Sequence, residues 1–200
     1  MMIIRHRVNS WNKLKSIPES EGVEIDLRSS RNDIYLHHDP FKKGVLFEKW
    51  IKFFKHKFIV LNVKEEGLEK KVLKILKKNK IKNFFFHDQT FSSLLKNMKD
   101  TNVSVRTSEF ESLKKKEFLF KKIKWVWIDN FFKFEIDQKF YKFCRRKKVK
   151  ICLVSPELVK KNRVKEINNI VKKLKKMKII LDAVCTKKPE LWRKLYYEKK

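Results

Sequence analysis

Eight short apolar runs, each rich in β-branched or aromatic residues, punctuate the chain from end to end: MMIIRH, GVEIDLR, FIVLNVK, NFFFHD, NVSVRT, KWVWID, VKICLVS and IILDAVCT. Their composition is that of strands. Between most of them apolar residues recur at spacings of three and four, most clearly over Leu68 to Lys80, Thr90 to Met98, Asp137 to Lys147, Val164 to Lys176 and Pro189 to Glu198. That spacing is the helical period. Strand and helix in alternation imply a parallel sheet, because a strand that returns in the same direction needs a crossover connection.

Eight such strands predict an α/β chain folded as a small (β/α)8 TIM-type barrel, with its active site at the C-terminal ends of the strands. The connection from Pro40 to His56 is expected to carry a helix over LFEKWIKFF, so a crossover follows the second strand as well. VSPEL reads as a loop into a helix start, with Pro156 at an early helical position. No Pro-, Gly- or Ser-rich linker interrupts the alternation, and residues 1–200 are expected to form one domain.

Composition narrows the class. At 42% hydrophobic residues, 200 residues can bury a sizeable core. The formal charge of +29 points, taken alone, to a polyanionic partner. Lysine far outnumbers arginine, however, and Ala183 is the only alanine, a bias expected of an AT-rich coding sequence. The lysines also fall on helix faces, as in KKVLKILKKNK and NNIVKKLKKMK, where they are expected to be solvated. No specific nucleic-acid partner is therefore expected, although a positive field favours a phosphate-bearing substrate. Cys144, Cys152 and Cys185 lack metal-ligand spacing and sit in apolar surroundings, as reduced core thiols would. With no stretch long enough for a membrane span or a signal peptide, a cytoplasmic location is expected.

The ends of the apolar runs carry the chemistry. They finish on His6 and Arg7, Glu24 and Asp26, Asn62 and Lys64, His87 and Asp88, Arg106, Asp129, Ser155 and Thr186. Glu24 and Asp26 stand two apart on a strand, so they leave the same face. Two carboxylates on one face repel unless one is protonated or a cation lies between them, and Mg²⁺ or Ca²⁺ takes oxygen ligands. His6 lies between Arg5 and Arg7, and His38 stands beside Asp39. Two histidines near neutrality can serve as base and acid in cleaving a phosphodiester through an internal hydroxyl. Arg7 can hold a phosphate oxygen with its charged fork.

His6-Arg7, then Glu24-Ile25-Asp26, then His38-Asp39, followed by FIVLNVKEEG, together resemble the signature of the glycerophosphodiester phosphodiesterase family, within the phosphatidylinositol phospholipase C-like phosphodiesterases. The resemblance implies a (β/α)8 barrel and a metal-dependent phosphodiesterase acting on a small phosphodiester. His6 and His38 are then the general acid/base pair, and Glu24 and Asp26 bind a divalent metal, Mg²⁺ or Ca²⁺. Arg7 and Lys64 contact the phosphate, and alternation along an extended return sends His37 to the side opposite His38. Two positions depart from the family pattern. Val8 replaces a glycine, and Asn62 replaces the third-strand carboxylate, offering a metal a carbonyl oxygen but no charge. Affinity for the ion is then expected to fall unless another acid such as Asp88, Glu109 or Asp129 compensates. Two further readings remain: a barrel of the same family that binds a phosphorylated ligand without turnover, and, more distantly, a basic nucleic-acid-binding module.

Overall fold

The structure, a computed structural model, describes residues 1–113, 116–134 and 136–198. Strands and helices alternate in a mixed α/β architecture. In chain order the elements are β1 (Met2–Arg5), α1 (Trp11–Lys15), β2 (Gly22–Ser30), β3 (Asp33–Leu36), β4 (Val45–Leu46), α2 (Phe47–Trp50), β5 (Phe58–Val63), α3 (Glu69–Lys78), β6 (Phe84–His87) and α4 (Phe91–Asn97). They continue as β7 (Ser104–Thr107), β8 (Trp125–Ile128), α5 (Gln138–Arg146), β9 (Lys150–Val154), α6 (Pro156–Val159), α7 (Glu166–Lys176), β10 (Ala183–Thr186) and α8 (Pro189–Tyr197). All eight apolar runs are strands. The crossover between β7 and β8 contains a 3-10 turn, Glu117–Lys121, and the predicted helix after Pro40 is reduced to α2 and a 3-10 turn at Ile51–Phe53.

The chain divides into two compact units, Ile4–Val105 and Met1–Ile3 with Arg106–Lys200. In the first, β1, β2, β5 and β6 run parallel, in register at Arg5↔Val23, Asp26↔Asn62 and Asn62↔His87. Residues paired in this way present their side chains to the same face. The register therefore gathers Asp26, Asn62 and His87 from three segments of sequence. Ile25, Leu27, Ile59, Leu61 and Phe86 are buried, and so are Glu24 and Asp26. A strand buried on both faces is what a parallel sheet covered by helices requires.

The second strand departs from expectation. It continues beyond Arg28 to Ser30, then reverses through Arg31, whose φ is 55°, into antiparallel β3, with Ser30 opposite Asp33. A short β4 pairs with β3, and Gly44 lies so close to the Leu36 carbonyl that a Cβ would sit 2.0 Å from its oxygen. β3 ends at Leu36, the His37 N–H still reaches the Asp26 carbonyl at 3.2 Å, and His38 lies on the turn that follows.

In the second unit β8, β9 and β10 run parallel, with Cys152 paired to both Trp127 and Ala183, and the Asp129 N–H donates to Thr107 O at 3.0 Å. Asp137 caps α5 by accepting the Phe140 N–H at 2.7 Å. α7 buries Ile167, Ile170, Val171 and Leu174 and exposes Lys172, Lys173, Lys175 and Lys176. That division is the solvated lysine face read from the sequence. Cys144, Cys152 and Cys185 are buried thiols. Among the described residues no helix is long and apolar enough to cross a membrane.

Candidate active site

Glu24 and Asp26 are both fully buried, and a buried carboxylate is costly unless its oxygens are satisfied. Each of the four oxygens has a donor. Glu24 Oε2 accepts the Arg7 backbone N–H at 2.6 Å, and Asp26 Oδ2 accepts Asn9 Nδ2 at 2.8 Å. The remaining oxygen of each acid accepts from one atom, Asn62 Nδ2, at 3.0 Å from Glu24 Oε1 and 3.2 Å from Asp26 Oδ1. Asn9 also accepts the Asp26 N–H through Oδ1 at 3.0 Å, so it grips this residue by backbone and side chain together.

The loop after β1 is shaped to reach these acids. Arg7 adopts φ 52°, the left-handed conformation that non-glycine residues visit at some cost, and this aims its N–H at Glu24. Val8 is buried and donates its N–H to Glu24 O at 2.7 Å. The positive φ thus falls on Arg7, and Val8 needs no glycine-like freedom. Lys13 Nζ closes the loop by donating to the His6 and Arg7 carbonyls, each at 2.6 Å.

Around the acids stand the predicted base and cations. His6 Nε2 lies 3.9 Å from Glu24 Oε2, and the Arg7 guanidinium Nε lies 3.9 Å from Asp26 Oδ2. Lys64 Nζ is 3.7 Å from Asp26 Oδ1 and 2.9 Å from Asp88 Oδ2. Burial pushes the Asp26 carboxyl above its ordinary range, and the neighbouring Glu24 charge adds to this, against the pull of Asn9, Lys64 and Arg7. A recess of about 160 Å³ beside Lys64 is walled by Glu65, Glu66, Glu69, Asp88, Gln89 and Thr90 among others.

His38 stands on the segment after β3. Its Nδ1 lies 2.9 Å from Asp39 Oδ1, and its carbonyl accepts Arg28 Nε at 2.9 Å. With a carboxylate as partner, Nδ1 is the protonated nitrogen and Nε2 remains for exchange. The His38 bond holds the exposed Asp39 carboxyl below its ordinary range. His37 is occupied locally: its Nδ1 accepts the Asp39 N–H at 3.0 Å. The site thus brings together His6, Arg7, Glu24, Asp26, Asn62 and Lys64, while His38 is tied to Asp39 and Arg28.

Asn9 and Lys13 were not singled out by sequence. Neither is part of an apolar run; Asn9 meets Asp26 only once β1 and β2 are paired, and Lys13 meets the His6 and Arg7 carbonyls through the turn into α1. Asp88, expected as a compensating acid, sits against Lys64. Glu109 and Asp129 are engaged within the second unit. Burial pushes Glu109 upward, but the backbone N–H groups of Phe132, Lys133 and Phe131 outweigh it and hold its carboxyl below the ordinary range. Asp129 Oδ1 accepts Trp127 Nε1 at 3.1 Å.

The other strand-end groups are similarly engaged. Arg106 pairs with Glu111 at 3.0 Å, and His87 is buried with Nδ1 3.0 Å from Ser104 Oγ. Thr90 caps α4 by accepting the Ser93 N–H at 3.3 Å. Ser155 Oγ bonds to Glu157 and accepts Trp192 Nε1 at 2.7 Å, as part of a buried polar network. A cavity of about 880 Å³ in the second unit is walled by Ser108, Glu109, Asp129, Asp137, Phe140 and Arg146 among others, so it holds two of the acids named from sequence, but not Glu24, Asp26 or either predicted histidine.

Does the donor set fit a hard divalent ion? Glu24 and Asp26 converge on one point, and Asn62 Oδ1 is buried without a hydrogen-bond partner. Two carboxylates and an orphaned carbonyl oxygen are the right chemistry for Mg²⁺ or Ca²⁺. The position facing both acids is held by the Asn62 amide nitrogen, so the carbonyl must exchange places with it for the set to act together.

No family model matches this chain, and no curated protein matches it. Solved structures do. A glycerophosphodiester phosphodiesterase from Thermotoga maritima aligns with a TM-score of 0.69 at 20% identity over 97% of both chains. A putative glycerophosphoryl diester phosphodiesterase from Agrobacterium tumefaciens aligns at 0.69 and 12% identity, over 98% of this chain and 96% of its own. An Oleispira antarctica phosphodiesterase, solved with the product sn-glycerol-3-phosphate, aligns at 0.63 and 16% identity over 99% and 97%. Over nearly its whole length this chain has the fold of solved glycerophosphodiester phosphodiesterases.

Proposed function

We propose that the chain is a glycerophosphodiester phosphodiesterase, built as a single (β/α)8 barrel, that hydrolyses a glycerophosphodiester or a related diester with a hydroxyl beside the phosphate. The observation that carries this reading is the buried Glu24–Asp26 pair, bracketed by the cations Arg7 and Lys64, with His6 at 3.9 Å from one of its acids. The fold shared with solved phosphodiesterases supports it.

In this mechanism Arg7 and Lys64 bind the phosphate oxygens, with Lys64 steadied by Asp88. His6, beside Glu24, takes the proton of the attacking hydroxyl, and His38 gives a proton from Nε2 to the leaving oxygen. Asp39 on Nδ1 fixes the tautomer and the ring orientation of His38. Water then opens the cyclic phosphate with the two histidines in exchanged roles. Glu24, Asp26 and Asn62 would hold a divalent ion, whose contribution when bound is to stabilise charge developing on the phosphoryl oxygens.

The test is hydrolysis of glycerophosphocholine and similar diesters with Mg²⁺ or Ca²⁺, for the wild type and for His6→Ala and His38→Ala. Each substitution is expected to lower kcat by about 10²-fold or more, the usual contribution of a general acid or base. Equal rates in all three proteins would remove the enzyme assignment. Phosphodiester binding without turnover in any of them would leave a ligand-binding barrel.

A further inference from the structure

A pair of carboxylates on one strand face, both fully buried, must be held together by a proton, a cation or a set of donors. Here the donor set is complete. The primary amide of Asn62 has two hydrogens, and its nitrogen lies within hydrogen-bond distance of one oxygen from each acid. Arg7 and Lys64 stand beside Asp26, and Lys64 also serves Asp88, so it is the hydrogen-bond donors and not charge balance that hold the pair without an ion. A carboxylate at position 62 would add a fourth acid to Glu24, Asp26 and Asp88 against the same two cations. The Asp26↔Asn62 register fixes this side chain between the acids, and Phe58–Val63 is anchored by pairing on both sides.

We propose that the side-chain amide of Asn62 stands in for a cation. It holds Glu24 and Asp26 as a preassembled site with no ion bound, and a divalent ion enters only by turning that amide over. The buried, partnerless Oδ1 is the mark of this arrangement. An orphaned carbonyl is unfavourable, and it persists because the two N–H bonds on the other side of the same group outweigh it. Inversion gives that oxygen to the ion and withdraws the nitrogen, so ion and amide compete for one position. The chain therefore folds without divalent metal, and its affinity for Mg²⁺ or Ca²⁺ is set by this exchange. The inference builds on the proposed metal-assisted phosphodiesterase, but its test does not use turnover.

Thermal unfolding of the full chain after dialysis against EDTA, then with Mg²⁺ or Ca²⁺ up to about 10 mM, is compared for the wild type, Asn62→Asp and Asn62→Leu, using ligand linkage. The wild type is expected to be folded in EDTA. Asn62→Asp is expected to unfold several degrees lower in EDTA and to recover with the ion, binding it about 10-fold or more tightly than the wild type by calorimetry, because ligand charge sets affinity. Asn62→Leu is expected to lose stability and not to recover it. A second readout needs no variant. The Asn62 side-chain amide resonances of the wild type should show two hydrogen-bonded protons without ion and should shift when ion is added.

A wild type that unfolds in EDTA, an Asn62→Asp variant equally stable in EDTA, or an amide pair with no hydrogen-bonded signature overturns the proposal. A protein that shows the expected pattern but hydrolyses no diester keeps this inference and loses the enzymatic reading. An active protein whose folding requires the ion does the reverse.

Discussion

The ammonium of Lys64 lies 2.9 Å from Oδ2 of Asp88, so the cation proposed to bind phosphate is oriented by the acid that follows the fourth parallel strand. Asp88 holds that place with φ 62°. Lys64→Met is expected to raise KM for a glycerophosphodiester by about 10-fold or more, the scale of a lost charge-assisted hydrogen bond. Asp88→Asn keeps the ammonium and loosens only its aim, so a smaller rise is expected. Steady-state kinetics of the two variants measures the difference; equal effects would mean that Lys64 acts only through its bond to Asp88.

Asn9 grips Asp26 through two hydrogen bonds, at 2.8 and 3.0 Å. Truncation leaves a buried carboxylate oxygen and a backbone N–H short of a partner. Asn9→Ala is therefore expected to destabilise the fold by about 1–3 kcal/mol. Urea unfolding measures this, and an unchanged midpoint would show that water replaces the side chain without loss.

Asp26 has its pKa raised in the folded protein by burial and by Glu24. Between the unfolded and the folded pKa the native state binds more protons than the unfolded chain. The burial penalty is therefore absent below the unfolded pKa and grows as pH rises through the folded one. The melting temperature of the wild type, measured relative to Asp26→Asn, should rise as the pH is lowered from about 7 to about 4. A difference independent of pH would show that the carboxyl is not perturbed.

Burial pushes the Cys144 thiol up to about 12, and the side chain is fully buried. Thiolate is the reactive form, so thiol-directed reagents should leave Cys144 unmodified near neutral pH until the chain unfolds. Mass spectrometry after brief labelling, with and without denaturant, checks this. Rapid modification of the native protein at Cys144 would contradict its placement on the buried side of α5.

The sequence by itself determined the strands and most of the helices, because an apolar run and a 3.6-residue period are local properties of the chain. It also put Glu24 and Asp26 on one face, since alternation along a strand is equally local, and it marked Asn62 and Lys64 as the ends of the next parallel strand. Only the tertiary structure decided that Asn62 bridges both acids, that Asn9 and Lys13 secure the loop after β1, and that Lys64 meets Asp88. Those contacts depend on register and on the left-handed turn at Arg7, which bring together residues with no fixed relation in sequence. The same holds for His37 and His38. Their local pattern suggests an alternating strand, but β3 ends at Leu36, and the partners each histidine meets, Asp39 for both and Arg28 for His38, are set by the turn that follows.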